Sequence, residues 1–123
     1  MSTSSTIALE YADGHVETIY CHNDGLIRIN GRILFKSYSD AEKVKELMKL
    51  GNMSILNESI EKSVFYRRDK KESMNYAESF ESFDDYLKNH EYQDYEYILR
   101  NSGEWFVCKT NQNRQYVKLE TVI

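Results

Sequence analysis

Tyr20, Cys21, His22, Asn23, Asp24 and Gly25 place a phenol, a thiol, an imidazole and a carboxylate within five positions, directly after a run that alternates like a strand. A thiolate attacking with imidazole help is the first chemistry such a set suggests. On a strand, neighbouring side chains point to opposite faces, so Cys21 and His22 cannot readily share a proton. A catalytic Cys21 would need another base, such as His15 or His90, brought near by folding. The spacing therefore predicts a small buried thiol and no catalytic residue. Metal binding meets the same objection: His15 and Cys21 share a face but lie roughly 20 Å apart along an extended strand, while zinc donors must sit within ~2.3 Å of one ion. No metal and no cofactor is expected.

The elements around this motif are legible. Ile7, Leu9 and Tyr11 alternate with polar or small residues, Asp13-Gly14 turns the chain, and Val16, Thr18 and Tyr20 alternate again, predicting a β-hairpin. Asn23-Asp24-Gly25 ends it. Leu26, Ile29 and Ile33 have helical steps despite Gly31, which costs ~1 kcal/mol against Ala inside a helix. Ser39-Asp40-Ala41-Glu42 reads as a capping box before the stripe Ala41, Val44, Leu47 and Met48, stopped by Gly51. Residues 52–61 read as a loop with a short helical turn, Ser63 to Tyr66 as a strand, and 67–78 as an exposed loop. Phe80, Phe83 and Leu87 predict a helix from about Ser82 to Asn89, with acids early and Lys88 and His90 late. Tyr95 to Arg100, Trp105 to Lys109 and Tyr116 to Leu119 predict a meander. The expected architecture is one α+β domain over 1–123: an antiparallel sheet, N-terminal hairpin plus C-terminal meander, covered by helices on one side.

Composition limits the function. The chain has 123 residues, 41% hydrophobic and 29% charged, ordinary for a soluble globular domain. Its ten tyrosines suit half-buried sheet faces or a contact surface. A net charge of −4 argues against direct nucleic-acid binding, which needs clustered Lys and Arg in excess. There is no apolar run of membrane-spanning length and no basic, apolar leader at the start, so no membrane and a cytoplasmic location are expected, with Cys21 and Cys108 reduced.

Two charged regions remain. Lys62, Arg67, Arg68, Lys70 and Lys71 against Asp69 could receive an anion. Together with Tyr20, His22, Asp24 and Tyr66, Arg67 and Arg68 make a candidate site for a nucleotide or other small ligand. Between Tyr76 and Glu104 eight acids face two bases, a local charge of −6. Tyr76, Glu78, Glu81, Asp84, Asp85, Glu91, Tyr92, Asp94 and Tyr95 form the candidate partner-binding surface: carboxylates in place of phosphates, with tyrosine rings as rigid contact area. Its expected partner is a host protein or ribonucleoprotein with a basic groove.

Four stretches carry a resemblance: the hairpin with Tyr20-Cys21-His22 and Asp24-Gly25; Gly31-Arg-Ile-Leu through Tyr38-Ser-Asp to Leu50-Gly51; Tyr66-Arg67-Arg68-Asp69; and Gly103-Glu104-Trp105-Phe106-Val107. The chain resembles a family of small phage, prophage and bacterial proteins to which no activity is assigned. In that family's pattern aromatics flank Asp-Gly, where this chain has Asn23 and Leu26, and a glycine follows Arg-Asp, where it has Lys71. The resemblance implies a phage-type protein and makes inhibition of a host defence, of anti-CRISPR or anti-restriction kind, the expected role, without catalysis.

Overall fold

The computed structural model describes residues 3–123, which form a mixed α+β domain. Strands β1 (Ser5–Glu10) and β2 (Val16–Cys21) are the expected hairpin, in register from Ser5 opposite Cys21 to Glu10 opposite Val16. Gly14 in its turn has φ +95°, a conformation glycine adopts without a Cβ penalty. A π-helical turn, Ile27–Gly31, runs into α1 (Arg32–Ser37), so the predicted 26–38 helix is present with an irregular first turn. Gly31 sits inside it because a Cβ there would lie 3.2 Å from the Tyr97 ring.

Helix α2 (Ala41–Leu50) is capped one residue later than the sequence pattern implies: Asp40, not Ser39, accepts from the Glu42 amide at 2.9 Å. Val44, Leu47 and Met48 face the core. The stretch expected as loop holds β3 (Met53–Ile55), and β4 (Val64–Phe65) is shorter than predicted. Residues 67–78, also expected as loop, contribute most of α3 (Tyr66–Lys70) and open β5 (Glu78–Phe80). Helix α4 (Phe83–Asn89), its amide of Asp85 capped by the Ser82 hydroxyl, precedes β6 (Tyr95–Leu99), β7 (Trp105–Lys109) and β8 (Val117–Lys118).

The sheet order is β4-β3-β2-β1-β6-β7-β8. Hairpin and meander are antiparallel as expected, but β1 runs parallel to β6 and β2 parallel to β3. The parallel β1–β6 pairing joins the two halves of the chain and makes β1 and β6 central, buried on both faces.

Alternation sorts the side chains. Ile7, Leu9, Ile19, Tyr97, Leu99, Trp105 and Val107 face α1 and α2. Ala8, Val16 and Ile98 face the other way and pack under Phe80 and Tyr86, with Phe83 and Leu87 beside them. Helices therefore cover both faces: α1 and α2 one, α4 part of the other, a correction to the one-sided arrangement. The physical reason is that both sides of β1 and β6 are apolar at this end and each needs a cover. No helix among the described residues is long and apolar enough to cross a membrane.

Candidate functional site

The α4 face changes character along the strands. Beyond Ala8, Val16 and Ile98, the residues of the same parity are Thr6, Thr18, Tyr20 and Glu96. Strand β2 is paired on its outer edge at both ends but not in the middle: with β5 over Val16–Thr18 and with β3 at Cys21. In the gap the Asn52 carboxamide accepts from the Tyr20 amide at 2.9 Å. A cleft of about 210 Å³ opens there, lined by Thr6, Thr18, Ile19, Tyr20, Asn52, Glu78, His90, Glu91 and Gln93.

Beneath the cleft lies a saturated polar network. Glu96 is fully buried. One carboxylate oxygen accepts from the Thr6 hydroxyl at 2.9 Å and the Gln93 amide at 2.7 Å. The other accepts from the Tyr86 hydroxyl at 3.0 Å and meets His90 Nε2 at 2.6 Å. His90 Nδ1 donates to the Tyr86 carbonyl, and its ring stacks on that of Tyr86 with centroids 4.0 Å apart. The Tyr86 and Tyr116 hydroxyls meet at 2.9 Å, and burial pushes both phenols well above their usual range. Four donors leave Glu96 no free lone pair of consequence. It anchors α4 and the following loop to β1 and β6; it is not placed to meet a ligand.

The rim is different. Glu78 and Glu91 are exposed, and their carboxylates have no hydrogen-bond or ion-pair partner among the described residues. Glu81 is likewise exposed and its carboxylate unpaired. Asp84 pairs with Lys88 at 3.0 Å, while Asp85 accepts from the Glu81 amide and from Asn89. Asp94 instead holds the Ser4 amide at 3.1 Å and lines a separate depression with Leu26 and Tyr95.

The expected tyrosine-studded surface is corrected. Tyr95 and Tyr97 are buried because β6 is central, Tyr86 because α4 lays it on Ala8, Val16 and Ile98, and Tyr92 is half-buried against His90. Only Tyr76 is exposed, with the Arg67 guanidinium over its ring at 4.0 Å. The acids remain outside; most of the rings do not.

In the second candidate set, Tyr20 and Tyr66 both bond Asn52 through their backbone amides, and the side chains of His22, Arg67 and Arg68 are engaged by contacts of the fold itself. Tyr20 lines the cleft and its hydroxyl meets His22 Nδ1 at 2.6 Å. Asp24, at φ +62°, shapes the turn and its carbonyl accepts from the Asn30 amide. Arg68 is consumed: it donates to the carbonyls of Ile60 and Ser63 and to both oxygens of Asp69, whose carboxyl it holds below its usual range together with the Phe65 amide. Its work is to clamp the 60–63 loop. Tyr66 lies under Lys70.

Cys21 points into the opposite core and is fully buried, and burial pushes its thiol up to about 11. Among the described residues no three His, Cys, Asp or Glu side chains converge on a metal-sized site. The cleft residues that sequence reasoning did not assemble are Thr6, Thr18, Asn52, His90 and Gln93. Parity marks Thr6 and Thr18; nothing local marks Asn52, which reaches β2 from 32 residues away.

No family model, curated protein or solved structure matches the chain.

Proposed function

We propose that the protein is a noncatalytic binding module that docks a cationic partner surface, with a Lys or Arg side chain of the partner seated between Glu78 and Glu91. The observation that carries this reading is the pair of uncompensated carboxylates on the rim of a cleft lined largely by polar side chains. Glu81, Asp84 and Asp85 extend the negative field along the start of α4 and favour fast, salt-sensitive encounter. Thr18 and Asn52 supply groups suited to an ammonium or guanidinium donor.

The resemblance to phage and prophage proteins supports a partner of one class: a host defence or nucleic-acid-handling complex, of the kind anti-CRISPR and anti-restriction proteins inhibit, met in the host cytoplasm. Two unpaired, buried thiols fit such a reducing compartment.

The test is affinity capture from host extract at low and high salt, with wild type beside Glu78→Lys/Glu91→Lys. A captured protein lost both on raising salt and on charge reversal supports the reading. Capture that survives charge reversal sinks it.

A further inference from the structure

The cations of this chain are not distributed evenly in their employment. Of the 16 Lys and Arg side chains, all but four engage a carboxylate, a carbonyl or an aromatic ring among the described residues. The exceptions are Lys62 and a consecutive set, Arg28, Arg32 and Lys36. These three recur every fourth residue along the continuous π–α1 segment, so they lie on one ridge, about 6 Å apart along the axis. All are exposed. They flank a groove of about 270 Å³ floored by Ile29 and Ile33, with Glu58 at its edge and not in ion-pair contact with them.

Side by side, three like charges repel one another and gain nothing from the fold. Their spread over about 12 Å suits several phosphates in a row better than one, which would need donors converging on a point. Phe35, three residues after Arg32 and therefore on the same side of the helix, is 36% exposed. A cationic track with an exposed aromatic beside it is the arrangement by which unpaired bases and their backbone are held.

We propose that the Arg28–Arg32–Lys36 ridge is a docking site for single-stranded nucleic acid, the cations neutralising successive phosphates and Phe35 stacking on a base. The acids of β5 and α4 lie over the opposite face of the sheet; nearer the ridge are Glu58 at the groove edge and, in the depression that holds Phe35, Glu120 and Glu104, the latter paired with Lys118. The site is independent of the acidic cleft and stands or falls without it.

Fluorescence anisotropy with a labelled single strand of about twelve nucleotides tests the assignment. Binding is expected at low salt, with log affinity falling against log salt at a slope of about −2, from three phosphates neutralised. Arg28→Glu/Arg32→Glu/Lys36→Glu should weaken binding at least tenfold, and Phe35→Ala about fivefold. Lys62→Glu should leave it within twofold. Circular dichroism checks folding, and the milder Arg28→Gln/Lys36→Gln pair, expected to lose several-fold, decides the matter should the triple variant unfold. Absence of binding at low salt, equal affinity in the ridge variants, or equally effective competition by polyglutamate or by duplex of the same length would each overturn the proposal.

Discussion

The two faces of the sheet are built from the same strands with the same alternation, yet they end differently. The face under α1 and α2 is apolar over most of its length, from Trp105 and Leu99 through Ile7 and Ile19 to Met53 and Phe65. The face under α4 is apolar only as far as Val16, Ala8 and Ile98, then turns to Thr6, Thr18, Tyr20 and buried Glu96. A seven-residue helix covers the apolar half and leaves the polar half as a cleft. The difference teaches that a cleft opens here where a cover stops, with a buried, fully bonded carboxylate beneath the cover and exposed, unbonded carboxylates on the rim.

The sharpest break of that comparison is Glu96→Ala. It removes the acceptor from His90 Nε2, the Thr6 hydroxyl and the Gln93 amide and leaves the Tyr86 hydroxyl only Tyr116, and a loss of about 3–5 kcal/mol in urea unfolding is expected. A loss below about 1 kcal/mol would mean that the network does not anchor α4. On the other face, Leu47→Ala removes a fully buried side chain and should cost about 2–4 kcal/mol. It should leave partner capture through the cleft unchanged once the variant is kept folded.

A smaller effect comes from the clasp between β1 and β6. Burial raises the Glu10 carboxyl, but hydrogen bonds from Arg100 at 2.9 Å and from the Asn101 amide outweigh it and hold the carboxyl below the ordinary carboxylate value. A carboxyl depressed by folding lends stability that is present above its unfolded value and is lost as pH falls through the folded one. Arg100→Gln should therefore cost about 1 kcal/mol at neutral pH and progressively less below pH 4.5, read from urea midpoints across that range. An equal cost at every pH would show that only packing of Arg100 on Phe83 matters.

Least of all, Glu78→Gln/Glu91→Gln should shift stability by no more than about 0.5 kcal/mol, since neither carboxylate bonds anything among the described residues. A substantial gain would indicate that the rim acids repel each other strongly, sharpening the case that they await a cation.

Much of the fold was open to local reasoning. The Asp13-Gly14 hairpin, the α2 stripe stopped by Gly51, the helix from about Ser82 to Asn89 and the β6–β7 hairpin are each specified by residues within a few positions of one another. Strands β3 and β5 escaped because each is three residues long and owes its existence to the free edge of β2, far away in the chain. The candidate site was half legible. Glu78 and Glu91 stand out as acids, but five tyrosines interleaved with acids looked like a surface, and three of them are core. In a central strand a tyrosine buries its ring and satisfies its hydroxyl, as Tyr97 does on the Gly25 carbonyl at 2.7 Å.

By itself the sequence determined what short-range chemistry can determine: which residues alternate, where turns need left-handed backbone, where helices are capped, and how many charges the chain carries. Tertiary structure alone decided that β1 and β6 run parallel and so become central, that β2 keeps a gap bridged by Asn52, and that the acids and the unemployed cations lie over opposite faces. The opposite placement holds for the rim acids and the Arg28–Arg32–Lys36 ridge; all these outcomes depend on contacts between residues tens of positions apart, whose energy exists only once the chain has closed on itself. A summed charge of −4 holds no record of where each charge lies.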